Sequence, residues 1–356
     1  MSSAETTLPN PLQKEDVFHA LPDWLQGSIA ATNPLLSWLP MSHSQLPRTT
    51  DLCSMVFPDD PESEDMVIEQ EEVDSCSPAA ASLDPRACDR ATALKAEILD
   101  SVSTSEARRI AHDMRQLCLE CGPNNELALL GLIEPWEGDD ETLSVLISNL
   151  SGDGELVSSN WASHVLCSIS LPKLLNLKTP ASRVLLSATI SFCKLHPVAT
   201  VEALLFPLAL CKEGISIVLC DVLTRVIKEC LHTSHVSAFC QKLLCAEVKD
   251  RRLVCLPCHQ DLISNELVWS EPMFTLFQNI LNLNVYLTPD SADQLVSVIV
   301  DMADKFTVSL KFGNFFLCFV TKCARSAKLY KVILEKAAEK TDTFVTKSIL
   351  SKLGGQ

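Results

Sequence analysis

Glycine and aromatic residues are scarce in this sequence: 10 of its 356 residues are glycine and 6% are aromatic. Folds rich in β-structure use glycine at tight turns and favour aromatic and β-branched residues in their strands. The composition therefore argues against a β-rich fold and favours a helical one.

Long apolar runs are also missing. The longest uncharged apolar stretches, such as 184–193 and 312–320, are about half the roughly 20 residues that a membrane helix needs. Met1 is followed by Ser2, Ser3 and Glu5 rather than by a basic and then an apolar segment, so we expect no secretory signal. The 16 cysteines are then expected to be reduced and mostly buried, without a disulfide framework.

Basic residues are nearly absent from the first 85 residues, where Lys14 and Arg48 stand alone. The same segment holds 10 of the 19 prolines and, over 59–74, nine acidic residues. Charge repulsion and low hydrophobicity predict a largely disordered acidic arm over 1–85, followed by a folded domain over 86–356. The domain is nearly neutral, so a wide basic face for nucleic-acid phosphates, and with it direct DNA binding, is not indicated.

The arm contains two Trp-Leu pairs, Trp24-Leu25 and Trp38-Leu39. Such pairs in acidic, proline-rich chain can dock into a partner's groove as short helices. The alternative is a transient hydrophobic cluster within the arm, and the sequence does not choose between the two.

Helical periodicity begins after residue 84. Apolar residues recur at spacings of three to four, first at Ala91, Leu94, Ile98 and Val102, and then at Ala107, Ile110, Met114 and Leu117. Ser103 with Glu106 fits a capping box, and Thr179-Pro180 and Thr288-Pro289 each predict a helix N-terminus. Further helices are predicted over 181–195, 198–211, 215–231, 236–245, 271–283, 292–306, 309–324, 328–340 and 343–353.

Short connections between these segments predict antiparallel helix pairs. The pairs recur at roughly 30–45 residues, the scale of HEAT-like repeats. We therefore expect an all-α solenoid of antiparallel HEAT-like repeats. A single helical bundle is the competing architecture, but around twelve helices favour a stacked array.

Two cysteine patterns could carry chemistry. Cys255-Leu-Pro-Cys258-His259 matches the covalent haem-attachment motif, and Cys118/Cys121 with Cys255/Cys258 could supply four thiolates to zinc. Haem attachment happens outside the cytoplasm, and the two CxxC pairs lie much farther apart than in compact zinc modules, so core packing is the preferred interpretation. With no G-x-S-x-G, H-E-x-x-H or phosphate loop in the sequence, we expect no enzyme and no cofactor.

The predicted C-terminal helix, 343–353, carries more apolar residues than the polar cap that normally ends a solenoid. Phe344, Val345 and Ile349 stand on it beside Lys347. These residues predict a docking face. The alternative is that its apolar residues all pack inward against 329–334.

Three segments of the sequence together resemble the Fanconi anaemia complementation group E family over roughly 82–353. Pro180-Ala-Ser-Arg-Val-Leu-Leu186 with Ser191-Phe-Cys-Lys194 is similar to that family's Ala-Ser-Arg-Leu-Leu and Ser-Phe-Cys-Ala helix. Leu287-Thr-Pro289 and Val320-Thr-Lys322 match a second region. Asp342-Thr-Phe-Val-Thr-Lys-Ser-Ile349 resembles the family's terminal Thr-Thr-Phe-Leu-x-Lys-Ser-Leu helix. Their order and spacing make the combination specific.

The resemblance implies a right-handed helical-repeat domain and a non-catalytic adaptor in the nuclear Fanconi core ubiquitin-ligase complex. It implies binding to the group C subunit, contact with the group F and group A subunits, and recruitment of the group D-two protein for monoubiquitination in interstrand-crosslink repair. By position in the motif, Phe344 would anchor that substrate, Val345 and Ile349 would form an apolar rim, and Lys347 would meet an acidic partner.

This sequence departs from the family in its arm, which lacks a basic nuclear-import segment and so suggests import together with partners. Two alternative functions stay open: a helical-repeat scaffold outside DNA repair, and an enzyme or metalloprotein whose site is assembled from scattered residues.

Overall fold

The computed structural model describes residues 83–151, 160–245 and 251–355. Trp24, Leu25, Trp38 and Leu39, and with them the predicted acidic arm, lie outside the described residues. Within these three ranges the regular structure is helical, apart from an isolated antiparallel bridge between Cys211 and Ile263. The prediction of an all-α helical-repeat fold is confirmed. No helix in the described ranges is long and apolar enough to cross a membrane.

The helices are numbered here in chain order. The N-terminal half comprises α1 (Pro85–Asp100), α2 (Thr104–Cys121), α3 (Glu126–Ile133), α4 (Asp140–Leu150), α5 (Trp161–Val165), α6 (Leu171–Leu175), α7 (Arg183–Leu195), α8 (Pro197–Thr200) and α9 (Phe206–Ala209). The C-terminal half comprises α10 (Ile217–Cys230), α11 (Thr233–Leu244), α12 (Glu271–Asn282), α13 (Pro289–Ala303), α14 (Leu310–Lys322), α15 (Ala324–Leu329), α16 (Lys331–Glu339) and α17 (Thr346–Gly354). Short 3-10 turns cover Pro135–Glu137 and Pro257–Leu262.

The described helices stack in two layers. One layer runs α2, α4, α7, α10, α12, α14 and α17, each packed on the next. The second begins with α1 and α3, continues through α5–α6 and α8–α9, and ends with α11, α13 and α16. Consecutive helices thus alternate between layers, as in an α-solenoid, and the hydrophobic core lies between them.

Two helices of the second layer contain a π-helical turn. The turn Leu166–Ser170 joins α5 to α6, and Val201–Leu205 joins α8 to α9. In both cases a proline, Pro172 or Pro207, follows as the second residue of the next helical segment. Proline lacks an N–H and its ring crowds the carbonyl four residues earlier, so a locally widened turn lets the helix continue.

The helix boundaries follow capping chemistry. Ser103 and Glu106 form the predicted capping box, and α2 ends where Gly122 takes a left-handed φ of 80°. Thr288 caps α13 as predicted. The prediction at Thr179 is wrong, because α7 begins only at Arg183. Val102, the last residue of the first apolar spacing, lies beyond the end of α1 and is exposed.

Aromatic rings pack between α12, α14 and the segment that precedes α12. Trp269 packs against Phe274 and Phe277 at centroid distances of 5.9 and 5.0 Å, and Phe274 packs on Phe312 and Phe315 at 5.1 and 5.5 Å. Rings at these separations contribute about 0.5–1.5 kcal/mol per pair beyond burial. This cluster packs α12 against α14.

Candidate protein-interaction site

The segment between α16 and α17 is bound to the preceding helix pair. The Asp342 N–H donates to the carbonyl of Thr307, with the nitrogen and oxygen 2.7 Å apart. At Gly313 of α14, an added Cβ would lie 2.7 Å from Cγ2 of Val345 and 3.1 Å from Oγ1 of Thr343. The turn 343–345 therefore lies directly on the backbone of α14.

The Thr346 hydroxyl lies within hydrogen-bonding distance of two other threonine hydroxyls in this turn. Oγ1 of Thr346 lies 2.8 Å from Oγ1 of Thr341 and 3.1 Å from Oγ1 of Thr343. It also accepts the Thr343 N–H at 3.2 Å and donates to the Thr341 carbonyl at 3.2 Å. Connected hydrogen bonds of this kind hold a turn in one conformation.

Phe344 projects from the turn into solvent. Its side chain is 78% exposed, while its neighbour Val345 is buried. Because Val345 occupies the inward position against α14, Phe344 has to point outward. Phe344 does not lie on the terminal helix as predicted: α17 begins at Thr346, so the aromatic ring is carried by the turn before it.

Helix α17 itself packs inward through Ile349 and Leu353, both fully buried against α14 and α16. The predicted apolar rim is therefore corrected: Val345 and Ile349 are core residues and have almost no surface to offer a partner. Lys347 is exposed one turn after Phe344 and makes no ion pair with any described residue. The exposed residues of the predicted site are thus Phe344 and Lys347.

Sequence reasoning missed a second group of exposed apolar residues. Leu329 is 75% exposed, Val332 64% and Ile333 48%. The alternative interpretation of the C-terminal helix packs it against 329–334, yet the inward residues of α16 are Leu334, Ala337 and Ala338. Hydrophobicity alone predicts the wrong face here, because three of the four large aliphatic side chains on α15 and α16 are exposed and only Leu334 is buried.

The haem-like motif lies in and next to the Pro257–Leu262 turn. Cys255 is buried, Cys258 is exposed, and the His259 ring packs edge-on against Trp136 with centroids 5.2 Å apart. Burial raises the pKa of the Cys255 thiol and lowers the pKa of His259. The His259 ring is therefore packed as a neutral core group.

The Cys118/Cys121 pair lies at the end of α2, where burial raises the pKa of the Cys118 thiol to about 12. A buried thiol held in its protonated form is a poor nucleophile. Across 83–151, 160–245 and 251–355, no group of three or more His, Cys, Asp or Glu residues is placed to hold a metal ion. Within the described residues the four cysteines thus form no zinc site.

The fold and its exposed C-terminal turn define an α-helical-repeat protein with a candidate protein-binding surface at the end of the stack. No family model matches the chain. The chain is similar to the Fanconi anemia group E protein of Homo sapiens, at 27% identity over 251 residues, which cover 66% of this chain and 42% of that protein. The match therefore spans less than half of the relative's length.

Proposed function

We propose that this protein is a non-catalytic adaptor of the nuclear Fanconi core ubiquitin-ligase complex. In this role it binds the group C subunit and the group D-two substrate together and promotes monoubiquitination of the substrate in interstrand-crosslink repair. The similarity to the human group E protein supports the Fanconi role. The observation that carries the recruitment step is the exposed Phe344 on a turn fixed to α14.

The adaptor acts by proximity. Holding the ligase and the substrate on one rigid stack raises their effective concentration toward each other and fixes their relative orientation. A helical-repeat stack suits this role because its two layers present separate surfaces along one continuous core.

Phe344 serves as the anchor of the substrate surface. An exposed aromatic ring on a rigid turn enters a partner's pocket without first losing backbone freedom. Truncating such an anchor costs about 2 kcal/mol or more, roughly a thirtyfold loss of affinity. Lys347 stands one turn away and contributes attraction to an acidic neighbour of that pocket.

The absence of catalysis is part of the proposal. Burial raises the pKa of the thiols at Cys118, Cys220, Cys240 and Cys323, so none of these cysteines is an activated nucleophile. The histidines of the haem-like motif and of the α7 terminus, His259 and His196, are held neutral by burial.

The test compares full-length wild type with Phe344→Ala for binding to purified group D-two protein. Tyr286→Ala is the matched control, because Tyr286 is an exposed aromatic residue, 73% accessible, in the turn between α12 and α13. We expect wild type and Tyr286→Ala to bind alike and Phe344→Ala to bind at least tenfold more weakly. Circular dichroism should show the same helical content for all three proteins.

Two results would contradict the proposal. Equal binding by Phe344→Ala would remove the assigned anchor. A folded wild type that binds neither the group D-two protein nor the group C subunit would favour a scaffold outside DNA repair. Separately, the Trp24→Ala/Trp38→Ala double variant tests the arm motif: a core complex that assembles normally with it would exclude a role for these tryptophans.

A further inference from the structure

The exposed face of α15 and α16 forms a continuous surface of mixed apolar and basic character. It consists of Arg325, Lys328, Leu329, Val332, Ile333 and Lys336, called here the α15–α16 stripe. These residues follow spacings of three to four. The opposite face repeats at the same spacing through Ala327, Leu334 and Ala337, which are buried against the neighbouring helices. The stripe is therefore the outward face of both helices.

The apolar side chains of the stripe are not buried by any of the described residues. Leu329 and Val332 are mostly exposed, and Ile333 is half exposed. Helix α16 is the last helix of its layer among the described residues. A solvent-facing helix surface is normally polar, and three adjacent large aliphatic side chains depart from that pattern.

The charged part of the stripe has one sign. Arg325, Lys328 and Lys336 form no ion pair with any described residue. Two nearby acidic side chains are engaged elsewhere: Glu335 pairs with Lys331, 4.0 Å from nitrogen to oxygen, and Asp293 bonds the Tyr330 hydroxyl. Glu339, exposed at the end of α16, is the acidic residue that borders the stripe at helical spacing from Lys336. Residues 305–356 as a whole hold ten basic and three acidic side chains. The stripe thus has a positive potential around an apolar centre.

We propose that the α15–α16 stripe is a docking site for an acidic amphipathic helix of a protein partner. The aliphatic centre takes the apolar face of that helix, and the flanking cations meet its acidic residues. Nucleic acid is less well suited, because phosphates would gain nothing from Leu329, Val332 and Ile333. This inference does not depend on the proposed Fanconi function.

The stripe and the Phe344 turn share no residue. Helix α16 has nine residues, so its two ends are about 13 Å apart. Leu329 precedes its first residue and Phe344 lies in the turn after its last, while Val332, Ile333 and Lys336 lie along the helix.

The test measures fluorescence anisotropy of labelled peptides with the full-length protein. The probe is an amphipathic peptide of about 18 residues with leucine at helical spacing and glutamate on its flanks. One matched peptide has lysine in place of glutamate, and another has serine in place of leucine. We expect the Glu/Leu peptide to bind, more weakly at high salt, and the two matched peptides to bind at least tenfold more weakly.

Variants on both parts of the stripe complete the test. Arg325→Glu/Lys328→Glu and Leu329→Ala/Val332→Ala should each weaken Glu/Leu peptide binding at least tenfold. The matched control is Ile217→Ala/Lys228→Glu on α10, where Ile217 and Lys228 are also exposed. All six residues replaced in these variants are exposed, so circular dichroism should be unchanged. Phe344→Ala should retain full peptide binding, which keeps this test distinct from that of the proposed function.

Three outcomes would overturn the proposal. One is failure of wild type to bind the Glu/Leu peptide, or unchanged binding by both stripe variants. Another is binding of labelled duplex DNA that only the charge-reversal variant loses, which would make the stripe a nucleic-acid surface. The third is a concentration-dependent dimer in sedimentation that both stripe variants abolish, which would assign the stripe to self-association.

Discussion

Gly313 and Val345 meet at a distance that only glycine permits: a Cβ on residue 313 would lie 2.7 Å from Cγ2 of Val345. This contact joins the middle of α14 to the turn that carries Phe344. Val345 is thereby fixed as the inward residue of the turn, and the adjacent Phe344 is directed into solvent. The exposure of the Phe344 ring therefore depends on residue 313 of α14 having no Cβ.

Gly313→Ala should lower the free energy of unfolding by about 1–3 kcal/mol, because β-branched Val345 cannot rotate away from the added methyl group. The helix-propensity gain of alanine, about 1 kcal/mol, offsets part of the clash. Urea unfolding measures the change. Gly131→Ala in α3 is the control: its Cβ would meet only Leu256 at 3.7 Å, so equal or higher stability is expected. A Gly313→Ala protein as stable as wild type would contradict this close packing.

Thr346→Val should destabilise the turn by about 1–2 kcal/mol, because the Thr343 N–H and the Thr341 hydroxyl lose a partner. Valine has nearly the same shape as threonine, so the change removes the hydroxyl and little else. Thr346→Ser keeps the hydroxyl and should recover most of the stability. If valine and serine behave alike in thermal unfolding, the hydroxyl network does not hold the turn.

The two Thr-Pro sequences should respond differently to mutation. Thr288→Ala removes the oxygen that accepts the Ser291 N–H at 3.3 Å and should cost about 1 kcal/mol. Thr179→Ala should change stability by less than about 0.5 kcal/mol, because Thr179 is exposed and α7 begins at Arg183. Equal losses in urea unfolding would show that Thr179 also caps a helix.

Stability should fall on mild acidification. Burial lowers the pKa of His196 and His259 below the ordinary value of 6.5. In the unfolded chain both imidazoles protonate near pH 6.5, so below that pH the unfolded state binds more protons than the folded one. The free energy of unfolding therefore decreases as pH falls through about 6.5 and levels off below the folded pKa values.

The measurement is urea unfolding at a series of pH values, with His196→Gln and His259→Gln beside wild type. Each substitution should flatten the fall in stability between about pH 7 and pH 5. The Phe192 ring packs on His196 with centroids 4.7 Å apart, and the Trp136 ring packs on His259 with centroids 5.2 Å apart. These contacts contribute to the desolvation of the two imidazoles. A wild-type slope that neither substitution changes would exclude these histidines as its cause.

Local signals in the sequence predicted the helices well where caps and periodicity agree. Ser103 with Glu106 and Thr288 before Pro289 mark the observed starts of α2 and α13. Periodicity failed where tertiary packing decides: the segment predicted as one helix over 328–340 begins earlier and breaks at Tyr330, and the segment over 343–353 is helical only from Thr346. Backbone breaks of this kind leave the hydrophobic spacing intact, so the pattern cannot reveal them.

The sequence alone determined the all-α class and the helical-repeat organisation. Scarce glycine, helical spacing and short connections are all evident from composition and from neighbouring residues, without knowledge of the tertiary structure. It also selected Phe344 and Lys347, through resemblance. Only the tertiary structure decided which apolar residues are surface. Val345 and Ile349 are buried while Phe344, Leu329 and Val332 are exposed. The close approach of α14 at Gly313 and the packing of α16 through Leu334, Ala337 and Ala338 set the orientation of each segment.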